Sequence, residues 1–151
     1  MNLERWQAIF DRAPFVKHLG VRIDAASPGE LHTSLVVQPH HLQHTGFVHA
    51  GVITTLADHS AGAAAQSSLG DPLAGTDGDA GNPGRSGYVV TAELKVSLLR
   101  AAKGGRLRCV ARVLKTGRQI VFTESEVWCD DGQREQLVAK LSGTMAVVPP
   151  A

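Results

Sequence analysis

Residues 44 to 65 read HTGFVHAGVITTLADHSAGAAA, and the reading of this stretch decides the fold. From His49 to about Leu69 the apolar spacing predicts the longest helix in the chain, although Gly51 and Gly62 weaken its propensity. At about 100° per residue, Val52, Ile53, Leu56, Ala57, Ser60, Ala63 and Ala64 fall on one continuous arc. Thr54, Thr55, Asp58, His59, Gly62 and Gln66 occupy the other, with Ala61 and Ala65 near its edge. The first arc suits burial against a sheet, and its small later residues permit a close approach. The second lacks the Lys, Glu and Arg of a solvated face and carries Asp58 among Thr, Gly and Ala. A carboxylate in such surroundings is costly unless it is paired or hydrogen-bonded. Two readings stay open: Asp58 pairs locally and faces water, or it serves a site where this face meets another surface, such as a second subunit.

The helix start adds chemistry. His49, Ala50 and Gly51 form its first turn, whose backbone N–H groups have no acceptor within the helix. Those donors and the helix dipole suit a developing negative charge, and small side chains let a carbonyl approach. An ordinary helix entry with small residues for packing fits the same pattern.

Upstream, LERWQAIFDRAPF (residues 3–15) reads as a short amphipathic helix on Leu3, Trp6, Ile9 and Phe10, stopped by Pro14. Residues 17–39 then predict a hairpin around Ser27, Pro28 and Gly29. Downstream, Gly70–Gly87 is dense in Gly, Asp and Pro and is expected to be a flexible loop. Four strand patterns follow, starting at Tyr88, Gly105, Arg118 and Arg134. The first alternates Tyr88, Val90, Ala92, Leu94, Val96 and Leu98 against Thr91, Glu93, Lys95 and Ser97. Short turns between them predict a meander of neighbouring antiparallel strands. The sum is an α+β domain over residues 1–151, with about six strands, a long central helix and a short N-terminal helix.

Composition narrows the function classes. The chain is 43% hydrophobic and 19% charged, as globular chains are. Fifteen basic against 14 acidic residues leave +1, giving no electrostatic case for nucleic acid or an anionic membrane surface. No run approaches the ~20 apolar residues of a membrane span. The N-terminal residues lack a signal peptide's apolar core. Cys109 and Cys129 lie in strand patterns without CxxC spacing, so reduced, buried thiols and a cytoplasmic location are expected. His40, His41, His44 and His49 have no second ligand cluster, so no metal is expected; nor does any motif call for a cofactor. No GxSxG nucleophile turn occurs.

The stretch HAGVITTLAD, preceded by QHTGFV, resembles the hotdog-fold acyl-CoA thioesterases of the phenylacetate-degradation (PaaI-like) type. Their signature is His-Gly-Gly opening the central helix, an acidic residue nine positions after the His, and a polar amide six before it. His49, Asp58 and Gln43 have that spacing. Residues 89–107, VVTAELKVSLLRAAKGGRL, look like the family's strand after the helix. Two departures stand out: Ala50 replaces the first glycine, and the Gly70–Gly87 loop is longer than the family norm.

The resemblance implies hydrolysis of an acyl-CoA to free acid and CoA. The carbonyl would accept from the N–H groups of Ala50 and Gly51, and Asp58 would act as general base or nucleophile. Gln43 would orient water or carbonyl, and His49 would hold the loop rather than move a proton. Thr91 would help position the water, reaching the site from the partner of a homodimer with shared active sites; pairing of dimers into tetramers is common in the family. Arg85, Arg100 and Lys103, with Arg106 and Arg118, are candidates for the CoA phosphates. The alternatives are a non-catalytic acyl-CoA-binding hotdog protein, which would not need Asp58, and a hydratase of the same fold, whose motifs are not seen here. Neither the acyl group nor the choice between base and nucleophile can be read from the residues.

Overall fold

The computed structural model describes residues 2–70 and 87–149. The Gly70–Gly87 loop and Arg85 therefore fall, apart from the two end glycines, outside the described residues.

The chain opens with α1 (Leu3–Phe10), capped by the Asn2 side chain, which accepts from Arg5 N at 3.1 Å. Trp6 and Phe10 bury its apolar face. Pro14 does not simply end the helical region, as the sequence suggested; it opens a second short helix, α2 (Pro14–Leu19). A proline fits the first helical position because its missing N–H has no partner there anyway. Gly20, at φ 72°, ends α2. Gln7 ties α1 to the sheet, donating to Val21 O at 3.1 Å and accepting from Ile23 N at 2.8 Å.

Strands β1 (Arg22–Ser27) and β2 (Glu30–Val36) form the expected hairpin. A one-turn 3-10 helix (Pro39–His41) leads to α3 (Ala50–Leu69), followed by β3 (Tyr88–Leu98), β4 (Arg106–Thr116), β5 (Ile120–Asp130) and β6 (Glu135–Val148). All pairings are antiparallel, and the sheet order is β1-β2-β4-β5-β6-β3. The meander expectation is corrected here. Strand β3 lies at the far edge beside β6, not beside β4. Residues 99–105 carry the chain from β3 across to β4, anchored by Leu99 N to Val138 O (2.8 Å) and turned through Gly104 and Gly105 at positive φ. Alternation in a sequence reports which face a residue takes, but it is silent on which strand lies alongside.

Every strand touches α3, which runs through the middle of the curved sheet, the hotdog arrangement. Leu56, Ala57, Ala61, Ala64 and Ala65 are fully buried at that contact, so the core arc is centred slightly beyond the predicted one, and Ala63 is only half-buried. Buried hydroxyls lock the register. Thr33 Oγ1 meets Ser60 Oγ at 2.6 Å, Ser60 donates to Leu56 O at 2.6 Å, and Ser125 donates to Ala57 O at 3.0 Å. Each satisfies a polar group that would otherwise be costly to bury. Among the described residues no helix is long and apolar enough to cross a membrane.

Candidate active site

Asp58 sits half-buried in the middle of α3, one residue past the carbonyl that Ser125 holds. Its Oδ1 accepts a hydrogen bond from the Thr91 hydroxyl at 2.8 Å. The expectation that Thr91 arrives from a partner is thus corrected, since it meets Asp58 of its own chain. A bulge between Thr91 and Glu93 is the reason. Ahead of it Val89 and Thr91 face α3; beyond it Val96 is the half-buried residue and Leu98 lines one cavity with Ile53. The simple alternation read along the strand breaks at that point.

Asp58 and Thr91 line a cavity of about 300 Å³ between α1, α3 and β3. Its other walls include Trp6, Ile9, Phe10, Gly62, Gln66 and Tyr88. His59 also borders it, its ring edge-on to Phe10 at 4.4 Å between centroids. Burial pushes the His59 pKa down, against a smaller opposing pull from Asp58, so the imidazole is neutral at pH 7. Sequence reasoning missed this wall. The signal was the apolar stripe of α1, but nothing in the chain order says which helix that stripe packs on.

The start of α3 lies elsewhere. His49 is its N-cap, with Nδ1 accepting from Gly51 N at 2.9 Å. The Gly51 N–H is therefore occupied, and His49 caps the helix. No acceptor among the described residues meets the Ala50 N–H. Ala50 borders a second cavity, of about 320 Å³, with Gln43, Phe47, Ile53, Leu98 and Arg100. Arg100 Nη1 donates to Leu137 O at 2.9 Å, and Lys103 Nζ lies 5.5 Å from the Phe47 ring centroid. Arg106, by contrast, is engaged with Asp24 (2.9 Å) and Ser34 (2.6 Å).

The structure thus gathers the predicted residues into two groups: Asp58 with Thr91, and Ala50 with Gln43 and Arg100. Ala50 and Asp58 are separated by about 12 Å of helix, at 1.5 Å per residue. Both cavities open beside β3, whose outer edge has no strand alongside it among the described residues. Tyr88, Val90, Leu94 and Leu98 are exposed along it.

Other nucleophiles and ligands fare worse. Burial pushes the Cys109 thiol up to about 12, and Cys129 is raised by burial as well, so both thiols stay protonated. Neither cysteine is disulfide-bonded, and both are buried. His18, His40 and His41 pack ring on ring, yet among the described residues no group of three or more His, Cys, Asp or Glu could hold a metal ion.

Comparison with known proteins follows the same line. Residues 45–136 match the family described as the Thioesterase superfamily. The "Putative esterase PA1618" of Pseudomonas aeruginosa is 31% identical over 133 residues, covering 88% of this chain and 81% of that protein. Among solved structures, a thioesterase family protein from Silicibacter pomeroyi superposes with a TM-score of 0.83 at 26% identity, covering 97% and 98% of the two chains. The E. coli PaaI protein of the phenylacetic acid degradation operon shares the fold, with a TM-score of 0.77, 21% identity and 99% coverage of each chain.

Proposed function

This chain belongs to the thioesterase superfamily and is a thioester hydrolase; from that premise we propose that it hydrolyses acyl-CoA at a site shared by two copies of the chain. One copy supplies Asp58 and Thr91, and the other supplies the Ala50 N–H and Gln43.

The observation that carries this reading is the separation of the two groups within one chain. A carbonyl polarised at Ala50 lies two helical turns from the Asp58 of the same helix, beyond the reach of one water. A second copy resolves the mismatch. An unpaired strand edge as long as β3 invites another chain. If two β3 edges meet antiparallel, the Leu98 end of one lies beside the Thr91 end of the other. The Ala50 cavity of each copy then closes onto the Asp58 cavity of its partner.

In this arrangement the Ala50 N–H and the positive end of α3 stabilise the oxygen of the tetrahedral intermediate. Asp58 takes the proton of the attacking water, while Thr91 occupies Oδ1 and leaves Oδ2 for that water. Collapse of the intermediate breaks the C–S bond, and the CoA sulfur leaves as thiolate or, with the proton from Asp58, as thiol. Gln43 orients the water or the carbonyl. Arg100, which lines the Ala50 cavity, and Lys103, which lies over its Phe47, suit the CoA phosphates.

The test is free-thiol release from short, medium, long-chain and aromatic acyl-CoAs, with wild type and Asp58→Ala. Release that collapses in the folded variant supports the reading. Equal rates in both proteins refute the role of Asp58. Tight binding without release makes this an acyl-CoA-binding protein. In a single turnover in heavy-oxygen water, label on Asp58 would show a mixed anhydride opened at the Asp58 carbonyl, which a general base never forms.

A further inference from the structure

We propose that the space over Gly62 receives the acyl group of the thioester and limits it to about the length of an octanoyl chain. The inference rests on the placing of Asp58 above, since Gly62 lies one helical turn beyond it on the same face.

Gly62 is the unusual residue. A glycine inside a helix costs about 1 kcal/mol relative to alanine. That is normally offset by a neighbour too close to allow a Cβ. Here a Cβ would meet no atom of the described residues within 4 Å, and α3 runs through Gly62 without interruption. Nothing described in this chain needs the glycine; the helix gives up stability to keep that space clear.

The space is shaped for an apolar group. It adjoins Asp58 and Thr91 and is walled by Trp6, Ile9 and Phe10 of α1. Gln66 also lines it, its amide donating to Gly87 O (3.2 Å) and accepting from Val89 N (3.1 Å). With both ends of its amide engaged, Gln66 is a fixed wall rather than a swinging one. Gln66 follows Asp58 by eight residues, which is about 12 Å along the axis at 1.5 Å per residue. That span admits an octanoyl chain or a ring on a short linker, and a palmitoyl chain would overrun it.

The experiment compares butyryl-, octanoyl- and palmitoyl-CoA on wild type, Gly62→Ala and Gly62→Leu, by thiol release and by calorimetric binding to the same variants carrying Asp58→Asn. Wild type is expected to favour octanoyl over palmitoyl. Gly62→Leu should lower the octanoyl-to-butyryl ratio of kcat/KM roughly tenfold, the loss of about two buried methylenes at ~0.8 kcal/mol each. Gly62→Ala should shift the ratio the same way by less while raising Tm, which separates a filled pocket from a damaged fold. An unchanged ratio in Gly62→Leu overturns the inference, as does palmitoyl-CoA performing as well as octanoyl-CoA. An unchanged ratio with weakened self-association, read by sedimentation, would assign the space to a partner side chain instead. If no acyl-CoA is hydrolysed, the hydrolytic reading of Asp58 falls, and calorimetry alone decides whether octanoyl-CoA binding still depends on Gly62.

Discussion

The Thr91 hydroxyl donates to Asp58 Oδ1 at 2.8 Å across 33 residues of sequence, joining the edge strand to the central helix. This contact occupies Oδ1 and leaves Oδ2 with no hydrogen-bond partner among the described residues. Thr91→Ala is expected to lower kcat about tenfold with little change in KM. A hydrogen bond to a charged acceptor is worth ~1.5–3 kcal/mol, and the partial exposure of this one places it at the lower end. Thr91→Ser keeps the hydroxyl and should recover most of the rate. Steady-state kinetics on one good acyl-CoA checks both, and a silent Thr91→Ala would remove Thr91 from the site.

Ala50→Pro isolates the backbone donor. Position 50 is the first residue of α3, where proline is favoured, and His49 at φ −64° and ψ 135° already has the conformation a following proline requires. The variant should fold with an unchanged Tm yet lose about 10²–10³ in kcat, the usual value of one oxyanion donor. Activity retained by the folded variant would move the donor away from Ala50.

Mixing two inactive proteins tests the shared site directly. Asp58→Ala and Ala50→Pro, unfolded together and refolded, form mixed dimers in which one of the two sites draws both intact groups. Random pairing should restore roughly a quarter of wild-type activity. A site contained within one chain would give no recovery at all.

Acidity should loosen the fold before it reaches the carboxylates. Burial holds His59 and His41 below their ordinary pKa, with His40 and His18 adding to the effect on His41. The unfolded chain takes up those protons first, near the ordinary value of 6.5. Stability therefore rises with pH across the window below that value and falls as pH drops through it. The Tm should decline between about pH 6.5 and pH 5, and His59→Gln should flatten part of the decline. Glu30, Glu126 and Glu135 are held low by His32, Lys140 and Arg108 in turn, so their contribution is lost only below the ordinary 4.5. A Tm that is flat between about pH 6.5 and pH 5 would contradict the burial of both imidazoles.

The central helix and six strands were legible because their apolar periods are long and regular. Asp58, His49 and Gln43 were singled out as candidates through their spacing within one short stretch. What escaped depends on contacts far apart in sequence. Nothing near Tyr88 announces that its strand pairs with β6 rather than β4. The bulge after Thr91 leaves no mark in residue types, yet it decides that Thr91 meets its own Asp58. Pro14 is a stop signal and a start signal at once, and only the burial of Val16 and Leu19 in α2 selects the second. The aromatic wall from Trp6 and Phe10 required knowing that α1 folds back over the middle of α3.

The seating of β3 has a consequence for the order of assembly. Its one neighbour in the sheet is β6, the last of the described strands, paired through Tyr88↔Val148 to Leu98↔Ala139. During synthesis α3 and its carboxylate emerge early, but Thr91 has no sheet to lie on until residues beyond 139 have left the ribosome. A nascent chain can therefore hold Asp58 without the Thr91 hydroxyl that meets it in the folded chain. The pairing of Thr91 with Asp58 waits for the distal strand, which docks and brings the edge strand with it.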